Sequence, residues 1–129
     1  SALWVRDTQK ALALIAEVPD ALVDAVYESS GQPSSLLVAA CYNGNIEVVS
    51  ELVRRGARVN RPANGMYPLA AAAAGNHSEV VTLLLDHGAR INQKNPHGQT
   101  ALEFALANYH DETTELLRAR GGKMYAHSL

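Results

Sequence analysis

Three histidines, His77, His87 and His97, recur at intervals of ten residues, and histidine is the commonest metal-binding side chain. Zinc ligands must all lie about 2.0–2.3 Å from one ion. A helix rises about 1.5 Å per residue, so histidines ten residues apart on one helix would stand about 15 Å apart along its axis. We therefore expect no metal site in this stretch, and no cofactor.

The carboxylates Glu79 and Asp86 would lie two helical turns apart, which is about 10 Å. Paired catalytic carboxylates of glycosidases face each other across a cleft at about 5–9.5 Å. No serine lies in a nucleophile-elbow setting, and "RGGK" near the C-terminal end lacks the spacing of a phosphate-binding loop. These residues predict a protein that is not an enzyme.

The composition is that of one soluble domain rich in small apolar residues. Of 129 residues, 47% are hydrophobic but only 5% are aromatic, which favours closely packed helices over a β-sandwich. The net charge of −2 excludes the strongly basic profile of a general nucleic-acid binder. RNA or a phosphoinositide stays a minor alternative as an acidic partner of the arginines Arg58, Arg61 and Arg90. No apolar run is long enough to span a membrane. The single Cys41 suits the cytoplasm, although secretion or a periplasmic location stays open.

An internal repeat determines what the elements must be. The segments "NIEVVSELVRRGARVN" (45–60) and "HSEVVTLLLDHGARIN" (77–92) match at an offset of 32 residues. Gly65 and Gly98 begin two further matching segments that lie 33 residues apart. Each unit predicts two short helices and an extended return, and such units bury their apolar faces only by stacking on each other.

The middle unit shows how these helices begin and end. Pro68 is tolerated in the first turn of one helix, and Gly75 and Asn76 accept the positive φ that ends it. Ser78 is the expected cap of the second helix, and Glu79 stands favourably at its positive end.

The stretch "GMYPLAAAAAGNHSEVVTLLLDHGARIN" (65–92) resembles an ankyrin repeat, whose pattern is Gly-x-Thr-Pro-Leu-His-x-Ala-Ala-x-x-Gly-His-x-Glu-Val-Val-x-Leu-Leu-Leu-x-x-Gly-Ala-Asp-Val-Asn. The resemblance implies an all-α solenoid of stacked helix pairs with short β-hairpin fingers. It also implies a non-catalytic scaffold that binds other proteins. The family histidine that ties adjacent loops is absent from all three units, so their hydrogen bonding is expected to be less regular. Cys41 stands where the family has a buried alanine.

The resemblance divides the chain into an N-terminal helical pair, three repeats and a tail. Their bounds are 1–31 for the degenerate pair, 33–61 and 62–94 for two repeats, 95–122 for a polar C-terminal capping repeat and 123–129 for the tail. The second N-terminal helix is expected to run on to Ser30. Only Gly31 and Gln32 then precede Pro33, so we expect no hairpin finger between residues 26 and 36.

Ankyrin partners are usually bound by the finger tips and by the exposed face of each first helix. Carried over by position, the partner-binding residues are Tyr42, Asn43, Arg58, Arg61, Asn64, Met66, Tyr67, Arg90, Lys94, His97, Gln99 and Asn108. Tyr67 has an alternative role as a core residue in place of the family threonine.

The arginines of the finger tips suggest a partner protein with an acidic patch, although they could instead only solvate the edge. We expect a monomer that recruits or inhibits this partner. The alternative is a structural or self-associating piece of a longer ankyrin array.

Overall fold

A computed structural model describes residues 26–29, 32–63 and 65–123, and the helix pairs predicted for the three repeats are present in it. A two-stranded antiparallel hairpin, β1 and β2, precedes them. The elements are β1 Val26–Ser29, β2 Gln32–Ser35, α1 Leu36–Asn43, α2 Ile46–Arg54, α3 Pro68–Ala74, α4 Ser78–Asp86, α5 Ala101–Ala107 and α6 Asp111–Ala119. The fold is therefore the helical ankyrin solenoid that the repeat predicted.

The core lies between the stacked pairs. Helix α3 packs against α1 on one side and α5 on the other, while α4 lies between α2 and α6. The second helices supply large buried side chains such as Leu52, Leu84 and Leu117, each with no exposed surface. The first helix of the middle repeat supplies methyl groups instead, since Ala71, Ala72 and Ala73 are also fully buried. Small side chains let neighbouring first helices approach closely, which explains the high alanine content.

Helix α3 begins and ends as its sequence predicts. Tyr67 precedes it with extended backbone, and Pro68 fills the first helical position, where a missing N–H costs nothing. Gly75 and Asn76 follow the last helical residue, and Asn76 has a φ of 62°.

The start of α4 differs from the prediction, because His77 and not Ser78 occupies the capping position. Ser78 is the first helical residue, and the His77 side chain makes no capping bond. Its Nε2 instead lies 2.9 Å from the Tyr42 carbonyl oxygen in the preceding repeat. His110 repeats this contact one unit later, with Nε2 2.9 Å from the Ala74 carbonyl oxygen. These histidines therefore join repeats.

The two extended returns, residues 57–67 (the first finger) and 89–99 (the second finger), are held by asparagines. The Asn60 amide donates to the Gly88 carbonyl at 3.0 Å, and its oxygen accepts from the Arg90 backbone N–H at 2.8 Å. Asn92 makes the same two contacts with Gly121 and Lys123, at 3.2 and 2.7 Å. The irregular bonding that the missing histidines suggested is therefore not found between these segments.

The prediction that no hairpin lies between residues 26 and 36 is wrong. Strands β1 and β2 pair in four registered positions, from Val26 opposite Ser35 to Ser29 opposite Gln32. The helix predicted to reach Ser30 therefore does not include Val26–Ser29, and a connection of two residues is enough for a hairpin. The rest of the predicted N-terminal helical pair lies outside the described residues.

Candidate partner-binding surface

The first helix α1 presents an aromatic side chain at its C-terminal end. Tyr42 is 56% exposed, although alanines stand at the equivalent positions of the other two repeats. Asn43 is exposed beside it, but its amide donates to the Ala39 carbonyl at 2.8 Å within the same helix. Asn108 makes the matching bond to Phe104 at 2.8 Å. Tyr42 is thus the candidate with the most unengaged apolar surface on α1.

The predicted residues of the first finger divide between surface and core. Arg58 is exposed and Arg61 half-buried. Met66 is half-buried against the hydrophobic core, and its backbone pairs with Ala63. Tyr67 is half-buried as well and lines a narrow crevice with Leu69 and Arg90. Asn64 lies outside the described residues.

The second finger presents exposed cations on an ordered turn. Asn95 holds the turn, because its Oδ1 accepts from the backbone N–H groups of His97 and Gln99, both at 2.9 Å. The Gln99 side chain is used internally, since its Oε1 accepts from the Asn95 amide at 3.1 Å. Arg90, Lys94 and His97 remain exposed.

A depression of about 520 Å³ opens beside this turn. Its lining consists of Arg90, Asn92, Gln93 and Lys94. Two of these side chains are cationic and the lining contains no carboxylate. The Asn92 and Gln93 amides donate to the Gly121 and Lys94 carbonyls, so the preference for an anion comes from the two cations. This depression is the part of the predicted surface with the clearest chemical preference.

Several cations, inside and outside the predicted surface, have partners within the chain. Arg54 forms a two-pronged contact with Glu51, at 2.6 and 3.0 Å, and Arg120 bonds Asp86 in the neighbouring repeat at 3.1 Å. Arg58, Arg61 and Lys94 are each engaged too. Because these contacts already restrict the side chains, binding a partner costs less side-chain conformational entropy.

One exposed aromatic residue was missed by the sequence prediction. Tyr109 is 89% exposed and follows α5 with a φ of 58°, a conformation that disfavours large side chains. The equivalent positions hold Gly44 and Asn76, which adopt it more readily. The sequence feature that could have identified this residue is a tyrosine at a position where the family pattern has glycine.

The histidines and the cysteine that were candidates for metal binding or catalysis do not form a common site. His77 contacts Tyr42, and the Nδ1 of His87 lies 2.9 Å from the Leu83 carbonyl oxygen in its own helix. Cys41 is buried, and burial raises the pKa of its thiol far above the usual range, so it stays protonated and unreactive. Within residues 26–29, 32–63 and 65–123, no group of three or more His, Cys, Asp or Glu side chains could share a metal ion.

The comparisons with known proteins agree with this geometry. None of the helices in the described ranges is long and apolar enough to cross a bilayer. A search of curated proteins gave no match. A family model described as ankyrin repeats matches residues 36–126 in three copies, which is most of the chain. Ankyrin repeats are generally protein–protein interaction modules and are typically non-catalytic. The chain belongs to the ankyrin repeat family.

Proposed function

We propose that this chain is a non-catalytic module that recruits or inhibits a partner protein. The proposed surface combines the exposed end of α1 with the tips of the two fingers. The depression lined by Arg90, Asn92, Gln93 and Lys94 is the observation that supports it most directly. A carboxylate or phosphate on the partner would find both charge and hydrogen-bond donors there.

Affinity and charge recognition are assigned to different residues in this proposal. Tyr42 offers a large, amphipathic and exposed ring, the kind of side chain that dominates the binding energy of interfaces. The cations at Arg58, Arg61, Arg90 and Lys94 attract an acidic patch and orient it, which affects the association rate more than the affinity. The partner is therefore expected to present acidic residues around an apolar contact for Tyr42.

The surface needs little rearrangement to bind. Asn60 and Asn92 fix the backbone beside both fingers, and Asn95 fixes the second turn. A surface that is ordered before binding loses less conformational entropy when the partner arrives. The free thiol of Cys41 suits a reducing compartment, and we place this interaction in the cytoplasm.

The test is to identify the partner and weaken this surface. Affinity capture from the native source with mass spectrometry supplies the partner, and calorimetry then measures its dissociation constant. Replacing Tyr42 and Arg61 together by alanine should raise that constant at least about tenfold, because an aromatic contact and a steering charge are both lost. Circular dichroism and thermal unfolding verify that the double variant is folded.

Arg118→Ala is the matched control, because it removes an exposed arginine of α6 outside the proposed surface. Its dissociation constant should stay within about twofold of the unmodified chain. An unchanged affinity in the folded double variant, or an equal loss in the control, would contradict the proposal.

A further inference from the structure

A second candidate surface lies where the two helices of each repeat are joined. We call these three segments, residues 42–47, 74–79 and 107–112, the turn edge. A depression of about 390 Å³ is lined by Gly44 and Ile46 of the first repeat, residues 76–80 of the second and Glu112 of the third. A second depression of about 420 Å³ shares Ile46 and Glu79 and continues along α4 past Leu83. Together they form what we call the turn groove, and no residue of the fingers lines it.

The turn groove combines apolar and acidic side chains. Ile46 and Leu83 are half-buried and pack against the core, so each offers part of its side chain to the groove. Glu79 and Glu112 are exposed and form no ion pair within the described part of the chain. No lysine or arginine occurs in any of the three turn-edge segments. Asp86 also lines the groove but is paired with Arg120, and the N-terminal ends of α4 and α6 offset part of the remaining charge. Glu79 and Glu112 therefore leave the groove with a modest net negative charge.

The turn edge also carries an exposed aromatic ring. Tyr109 belongs to the same turn as Glu112 and is the most exposed large hydrophobic residue in the described ranges. A tyrosine in the left-handed conformation costs about 1 kcal/mol relative to glycine. Because the ring is 89% exposed, packing does not offset that cost. Aromatic rings attract arginine and lysine through their π faces, and carboxylates attract the same cations. Both features of the turn edge thus favour a positively charged ligand.

We propose that the turn groove binds a basic segment of another protein, in which arginines or lysines alternate with aliphatic residues. The aliphatic side chains would contact Ile46 and Leu83, while the cations reach Glu79, Glu112 and the ring of Tyr109. The inference concerns a different face from the proposed finger surface and does not depend on it.

The test uses the whole chain and a synthetic peptide that repeats Arg-Leu-Ser, with a Glu-Leu-Ser peptide as its acidic counterpart. Backbone amide shifts in nitrogen-15-labelled protein report the contact site. The basic peptide should move amides of residues 44–46, 76–87 and 112, and the acidic peptide should leave them unmoved. Shifts confined to the fingers, equal shifts with both peptides, or no binding of the basic peptide would overturn the proposal.

Charge-removing variants then distinguish binding in the groove from attraction to negative charge anywhere on the protein. Replacing Glu79 and Glu112 together by glutamine should weaken binding of the basic peptide at least about tenfold, measured by fluorescence anisotropy. Replacing Glu47 and Glu115 by glutamine removes the same charge from exposed positions that do not line the groove, and should change affinity less than about twofold. Equal losses in the two double variants would show only diffuse electrostatic attraction and would overturn the proposal.

Tyr109→Gly tests the ring without threatening the fold, since glycine accepts the backbone conformation at this position. It should weaken binding about threefold or more, because the contact between the ring and the cations is lost. Unchanged affinity in this variant would overturn the part assigned to Tyr109. Finger variants with normal peptide binding would show that this site and the proposed finger surface are separate.

Discussion

At the scale of single residues, two asparagines connect neighbouring units of the stack. Asn60 and Asn92 each donate to one backbone carbonyl and accept from one backbone N–H of the following unit. An amide can do both at once, which a carboxylate or a hydrophobic side chain cannot. The connection between neighbouring units therefore depends on one residue type at one position of the repeat.

Replacing Asn60 by alanine should lower the free energy of unfolding by about 1–2 kcal/mol, because two hydrogen bonds in a partly exposed setting are lost. Equilibrium unfolding in urea, followed by circular dichroism, measures the change. Asn43→Ala is the control, since that amide bonds only to its own helix at Ala39, and it should cost less than about 0.5 kcal/mol. Equal losses in the two variants would mean that Asn60 does not connect the units.

The sequence shows that the two asparagines occupy equivalent positions, but it does not show which groups they bond. Both appear in the internal match at an offset of 32 residues, so their equivalence was evident. Their bonding partners lie 28 to 31 residues further along the chain, and nothing in the local pattern indicates those contacts. His77 illustrates the same limit. Its position at the start of α4 was predictable, but its contact with the preceding repeat was not.

At the scale of elements, the turn between the two helices of a repeat adopts one backbone shape with three different residues. Gly44, Asn76 and Tyr109 have φ values of 72°, 62° and 58°. Glycine adopts this conformation without cost, asparagine adopts it fairly readily, and tyrosine does so only with strain. The three repeats therefore differ in the stability of a turn that they share.

Tyr109→Gly should raise the free energy of unfolding by about 1 kcal/mol, since it removes this strain and a fully solvated ring. The reverse change in the first repeat, Gly44→Ala, should lower it by about 2 kcal/mol. There a methyl group would meet the His77 ring, which would have to leave the Tyr42 carbonyl, and the backbone would be strained as well. Thermal and urea unfolding of both variants check the signs. Destabilisation by Tyr109→Gly would contradict this account.

The helices were predictable as elements because their apolar spacing and their terminal residues agree. Pro68 at the start of α3 and Gly75 with Asn76 at its end mark that helix in the sequence. The hairpin β1–β2 was not predicted, because the helical spacing assigned Val26–Ser29 to a helix. Ser30 and Gly31 between the strands form a dipeptide typical of turns, and this was the available signal. Strand pairing depends on backbone contacts, which the side-chain pattern of so short a segment specifies weakly.

At the scale of the whole molecule, the question is whether the stack of repeats is a monomer or associates with further copies. The proposal of a monomeric module predicts a mass of about 13.8 kDa at every concentration in size-exclusion chromatography with light scattering. The physical reason is that exposed large hydrophobic residues in the described ranges are limited to Tyr42 and Tyr109, too few for an obligate dimer interface. A mass that rises with concentration would instead favour the self-associating alternative.

The charged side chains of the second helices are distributed unevenly between the helix ends. Carboxylates stand at the beginnings of these helices, at Glu47, Glu79, Asp111 and Glu112, while arginines stand at or beside the ends of α2 and α6. Each helix contributes only about half a charge of opposite sense at its termini, so the side chains outweigh the backbone. Helices α2 and α6 thus give the described part of the chain a dipole of one sense, to which α4 adds little because it ends at Asp86. In the field of a polyanion the molecule would rotate before contact so that the fingers arrive first, and a polycation would turn it the other way.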